Sequence, residues 1–126
     1  MARFANSLLA GAGLAALLAL PAFAHHGWSW TDSGFFQIEG IVTDVYIGNP
    51  HATIDLDVEG EIWRIELAPP GATINAGFVE GVVSAGDEIT AIGNRSADET
   101  EPRMKAVRVV VDGVNYDVYP SRAQGI

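Results

Sequence analysis

From residue 35 onward, apolar and polar residues alternate with a two-residue period along most of the chain. That is the pattern of strands with one face in a core and the other in water. It is clearest where Ala52, Ile54, Leu56 and Val58 interleave with Thr53, Asp55, Asp57 and Glu59. Glu59-Gly60 supplies a tight turn, and Trp63, Ile65 and Leu67 resume the alternation, so residues 51–67 predict a β-hairpin. The stretch before it, Phe35 to Ile47, is long for one strand. Phe36 and Ile38 keep one phase and Ile41, Val45 and Ile47 the other, with Gly40 between them. A phase change inside a strand predicts a β-bulge, here at Gly40.

Pro69-Pro70-Gly71 closes the hairpin. Ile74, Phe78, Val79, Val82 and Val83 then recur at loosely helical spacing, interrupted by Gly77 and Gly81, which predicts a short helix or 3₁₀ turn within 72–83. Ala85-Gly86-Asp87 marks a turn, Glu88 to Gly93 a strand, and the polar run from Asn94 to Arg103 an exposed loop. Met104 to Val111 is the next strand, Asp112-Gly113 the next turn, and Val114 to Tyr119 a last extended piece; residues 121–126 are expected to fray. The order β-β-β-α-β-β belongs to an all-β fold with one short helix, a small OB-like barrel of five to six strands. An immunoglobulin-type sandwich would need about seven strands and no helix between them.

The first 24 residues follow a different rule. Arg3 precedes an uncharged apolar run from Leu8 to Leu20, Pro21 ends it, and Ala22-x-Ala24 offers the small residues of a cleavage site. The run is shorter than the roughly 20 apolar residues of a membrane span. Residues 1–24 therefore read as a signal peptide, residues 25–120 as one exported domain, and the mature protein as free of the membrane. The chain has no cysteine. That removes disulfides, thiolate metal sites and a lipidated cysteine together, and an exported domain without disulfides suits a bacterial periplasm. The formal net charge is −9, with seven basic residues, and cleavage would remove one of them, Arg3. Such an acidic surface repels phosphate backbones and argues against a nucleic-acid partner.

Cleavage after Ala24 would make His25 the first residue. Its α-amine, its imidazole and the imidazole of His26 would then share one short segment, and the only other histidine is His51. Imidazole nitrogens suit copper, and less specifically zinc or nickel. A free α-amine has a pKa of about 7.8, low enough for a metal to displace its proton near neutral pH. The arrangement resembles the histidine brace of copper proteins whose mature chain begins with histidine. His51 follows Pro50 at the mouth of a strand and shares the outward parity of Asp55 and Asp57. His25, His26 and His51 are accordingly the candidate metal ligands, with copper the expected ion. Against this stand the chance occurrence of a terminal histidine and a purely local role for His51.

The Ala-His-His start, the Asn49-Pro50-His51 corner, the alternating strand after it and Gly86-Asp87-Glu88-Ile89 resemble a family of small exported bacterial proteins of unknown function. The resemblance covers most of residues 22–112. It implies the fold and the compartment but brings no activity. Where members of that family carry Ser-Phe after the histidine pair, this chain has Gly27-Trp28.

Other candidate features have plainer explanations. Trp28, Trp30, Phe35 and Phe36 could stack on a flat ligand, but large apolar rings more often cover a barrel end. Trp63 has core parity. Asp55, Asp57, Glu59 and Glu61 follow from strand alternation as a solvated edge, and no calcium-binding loop is present. No nucleophile, zinc-protease or phosphate-loop motif occurs, so no catalytic residue is assigned and the chain does not read as an enzyme. The expected function is a periplasmic binding module for copper. The alternative is a structural or interaction module that presents a strand edge or aromatic face to a protein or glycan, without metal.

Overall fold

A computed structural model of the protein describes residues 27–126. The elements are β1 (Phe36–Tyr46), β2 (Thr53–Val58), β3 (Glu61–Glu66), α1 (Pro70–Asn75), β4 (Glu88–Arg95), β5 (Arg103–Val111), β6 (Val114–Asp117) and α2 (Pro120–Ala123). The strand order is β3-β2-β1-β4-β5-β6, and a parallel pairing of β3 with β5 closes the first five strands into a mixed barrel. β6 adds to β5 as an extra antiparallel strand outside the closure. This is the OB-like barrel that the alternation predicts.

The inward-facing residues of every strand meet in one core. Ile54 and Leu56 from β2, Ile65 from β3, Ile89 and Ala91 from β4, and Met104 and Val109 from β5 are all buried. Trp63 is buried as its parity required, with Phe36 stacked on it at 5.4 Å between ring centroids. Polar residues of β2 take the opposite face, where Asp55 receives Arg64 Nε at 2.5 Å.

The bulge in β1 is real but lies two to three residues later than the sequence suggests. Pairing with β2 shifts register between Val42 and Asp44. Val42 is buried in the same phase as Ile38, and Ile41, expected in the second phase, is 44% exposed. Gly40 has a different role. A Cβ built there would lie 2.3 Å from the Asp57 carbonyl oxygen, so the absence of a side chain lets β2 cross close over β1. Gly93 does the same for β5, where an added Cβ would meet the Lys105 carbonyl oxygen at 2.0 Å, next to a second register shift between Ile92 and Gly93.

Three boundaries differ from expectation. The helix occupies 70–75 rather than the broader 72–83, because Pro70 starts it and Gly77, at φ +83°, ends it. Its buried residue is Thr73, whose hydroxyl donates to the Ala68 carbonyl at 2.8 Å, while Ile74 is exposed. The polar loop after β4 narrows to 96–102, because Asn94 and Arg95 still pair with Lys105 and Met104 of β5. The tail expected to fray forms α2 instead. Ala123 is buried, and Ala123 N–H donates to the Tyr119 carbonyl at 3.0 Å. Among the described residues no helix is long and apolar enough to cross a membrane.

Candidate functional site

Two groups of side chains meet where β3 and β5 run in parallel. The first is built on the turn from β1 into β2. The Asn49-Pro50 peptide in that turn is cis, and the Tyr46 hydroxyl donates to the Asn49 carbonyl at 2.7 Å. Directly after His51, Ala52 is tied to the end of the hairpin: its N–H donates to the Ala68 carbonyl at 3.2 Å and its carbonyl accepts from Leu67 N–H at 2.9 Å. With Ala52 held inward, strand parity turns His51 outward with Thr53 and Asp55. Its Nε2 lies 3.4 Å from Glu66 Oε1 on β3. Arg103 Nη2, on β5, donates to both oxygens of Glu66 at 2.9 Å. His51 and Glu66 line an open hollow of about 420 Å³ together with Asp44, Tyr46 and Arg64.

The second group holds the segment that leads back toward the start of the chain. Lys105, in register with Glu66 across the parallel β3–β5 pair, donates from Nζ to the Gly27 carbonyl at 2.8 Å. The same ammonium lies 5.0 Å from the centre of the Trp28 ring and 5.6 Å from that of Tyr119. Arg122 of α2 covers the Trp28 ring at 3.8 Å, and Arg103 covers Trp30 at 3.7 Å. Backbone bonds complete the attachment. Thr31 bridges to Ser96, Asp32 N–H donates to the Arg95 carbonyl at 2.8 Å, and Ala97 N–H to the Trp30 carbonyl at 2.9 Å.

The electrostatics follow from this packing. Burial pushes the Lys105 ammonium below the usual lysine range, and the Arg103 and Arg122 charges add to the effect against the opposing pull of Glu66. Burial likewise raises the Tyr119 phenol. Arg64 is raised by its hydrogen bond to Asp55. Trp28 and Trp30 are therefore neither a free aromatic platform nor simple core: each is half-buried against a cation. Phe35, by contrast, is 48% exposed.

Of the three candidate ligands, the structure places His51. His25, His26 and the cleavage site behind them lie outside the described residues. Among the described residues no group of three or more His, Cys, Asp or Glu side chains is arranged to hold a metal ion. His51 and Glu66 together offer two donors at this corner. Glu66, Arg103 and Lys105 were not singled out by sequence reasoning. One signal was available: Lys105 is the only lysine of the chain and interrupts the otherwise apolar start of the Met104–Val111 strand. The pairing of Glu66 with Arg103 and His51 had no such signal, because it depends on which strands close the barrel.

Comparison with known proteins agrees with a small OB-like β-barrel. The structure of the S. pombe Stn1–Ten1 complex contains a similar chain, at TM-score 0.50 and 15% identity, over 61% of this chain and 57% of that one. TiaS lacking its ZRD, in complex with agmatine, is similar at TM-score 0.50 and 18% identity, over 70% of this chain and 27% of that one. This chain thus spans well under two thirds of either neighbour, and the likeness is one of fold. No curated protein sequence matches it. The sequence model for the Family of unknown function (DUF6152) matches residues 14–103, and the chain belongs to that family.

Proposed function

We propose that this protein is an exported, periplasmic binding module that holds one copper ion through the α-amine and imidazole of His25 and the imidazoles of His26 and His51. One juxtaposition supports the reading. His51 faces an open hollow beside Glu66, and the chain leading to His26 is tied at Gly27 to Lys105, the register partner of that same Glu66. Two residues add at most about 7 Å of backbone reach beyond Gly27. Gly27 and His51 thus each contact one of two adjacent positions on the barrel, Lys105 and Glu66, although they lie 24 positions apart in sequence. With nitrogen donors and a nearby carboxylate, and no sulfur, such a set suits copper(II) better than copper(I).

Copper(II) titration of the protein beginning at His25, of a form carrying one extra residue before His25, and of His51→Ala tests the proposal. If the amine and His51 both ligate, each change should weaken binding at least about tenfold, or about 1.4 kcal/mol. Equal affinity in all three forms would refute it and favour an interaction module without metal. Intact mass of the exported protein checks the premise, since a mature start other than His25 removes the amine chelate.

A further inference from the structure

We propose that β6 is a self-association edge: two copies of the protein pair antiparallel through Val114–Asp117, continuing the sheet from one barrel into the next. The proposal goes beyond the copper reading and does not rest on it.

Backbone geometry settles which groups of β6 are left over. It is the last strand of the sheet, outside the closed barrel, with β5 on one side. Asp112 and Gly113, at φ +49° and +76°, form the two-residue turn in which the flanking residues, Val111 and Val114, exchange hydrogen bonds. Antiparallel pairing alternates, so Tyr116 also bonds to β5. Val118 N–H continues the series by donating to the Val107 carbonyl at 3.0 Å. The backbone N–H and C=O of Asn115 and Asp117 therefore point away from β5, and they have no backbone partner among the described residues. Both residues border a groove of about 400 Å³ whose other wall is Ala72, Asn75 and Ala76 of α1.

Spacing and side-chain chemistry commit this edge to a second copy. Outward groups at Asn115 and Asp117, with Tyr116 between them, form a pattern that a twofold axis at Tyr116 maps onto itself. Asn115 then meets the partner's Asp117, Asp117 meets the partner's Asn115, and both are hydrogen-bonded pairs. Tyr116 turns inward against Phe78, so the side chains of Asn115 and Asp117 share the outer face. Each Asn115 amide thus stands opposite a carboxylate that can accept from it. An unmatched charge on the edge would repel its copy, in a chain of net charge −9. Here the one charge of β6 is matched within its own copy, because Arg108 Nε donates to Asp117 Oδ1 at 2.6 Å. β6 has no lysine or proline, the residues that most often block an edge. So short an edge buries well under the roughly 1,200 Å² of stable complexes, and the dimer belongs to concentrations of about 0.1–1 mM.

Sedimentation equilibrium from about 0.02 to 1 mM tests this, on protein beginning at His25 with a chelator present to exclude metal bridges. The mass should rise from monomer toward dimer across that range. Asn115→Pro removes an outward N–H and leaves the bonds from β6 to β5 in place, so it should weaken association at least about tenfold. Asn115→Asp sets like charges opposite each other and should weaken it about fivefold at low salt and less at high salt. Asn115→Lys should tighten it by a similar factor. Thermal unfolding of each variant at low concentration separates loss of pairing from loss of fold. Should Asn115→Pro fail to fold, the other two variants decide, and equal association by Asn115→Asp and Asn115→Lys overturns the proposal. A parent protein that stays monomeric at about 1 mM, or a dimer that Asn115→Pro leaves intact, overturns it as well.

Discussion

Replacing Gly40 with alanine should destabilise the barrel by about 2–4 kcal/mol. The added Cβ would lie 2.3 Å from the Asp57 carbonyl oxygen and 3.0 Å from Leu56 Cγ. Close carbon–oxygen contacts in sheets sit at about 3.3–3.6 Å, so β1 and β2 would have to separate locally by about 1 Å. An N–H···O bond of ordinary length stretched by that amount is no longer a hydrogen bond. The pairs at risk are Ile41 with Asp57 and Val42 with Leu56, just before the register shift. Losing one or two ladder bonds costs about 1 kcal/mol each, and loosening the packing of the fully buried Leu56 supplies the rest. For a domain of this size each 1 kcal/mol lowers the melting temperature by about 5 °C, so a fall of about 10–20 °C is expected by calorimetry or far-ultraviolet dichroism. Gly71→Ala is the matched control. It lies in α1, nothing stands within 4 Å of its added Cβ, and it should raise stability by about 0.5–1 kcal/mol. Gly40→Ala unfolding within about 0.5 kcal/mol of the parent, a change typical of neutral surface sites, would show that the close crossing of β2 over β1 is not what requires glycine.

Two further outcomes are expected. Trp63→Ala should cost about 3–5 kcal/mol in urea unfolding, because it leaves a cavity under Phe36 and removes a ring that Arg95 also covers; a cost below about 1 kcal/mol would mean that the ring is not part of the core. The pair of Arg108 with Asp117 joins β5 to β6, and the hydrogen bond from Arg108 holds the Asp117 carboxyl below the usual aspartate range. A carboxyl lowered in the folded state contributes stability above its ordinary value near pH 4 and loses it as pH falls through the lowered one. Asp117→Asn should therefore cost about 0.5–1 kcal/mol at about pH 7 and less at about pH 2. A difference that is the same at both would mean that the carboxylate charge is not the source.

The order of strands was legible because it depends on local alternation, which a half-buried strand must show whatever it pairs with. The hairpin of β2 and β3 could be read from Glu59-Gly60 and the parity on either side, and Trp63 could be placed in the core by counting. The bulge could be detected but not located. Both phases of β1 contain apolar residues, and only pairing with β2 shows that Ile41 faces out while Val42 faces in. The helix was misjudged in length because Phe78, Val82 and Val83 are apolar for the sake of covering the barrel, not for the sake of a helical face.

For the proposed site, the sequence by itself supplied the candidate donors: three histidines, no cysteine, and a terminal segment that cleavage would expose. It also determined the outward parity of His51. It could not determine what His51 stands beside. Glu66, Arg103 and Lys105 come together only because β3 and β5 close the barrel in parallel, and such a closure leaves no periodic mark on either strand. The attachment of Trp28 and Trp30 is tertiary for the same reason. Cations at 95, 103, 105 and 122 look scattered along the chain, yet they face a single run of aromatic residues once the sheet is rolled. Periodicity reports which face of a strand is buried; closure of the barrel decides which faces become neighbours.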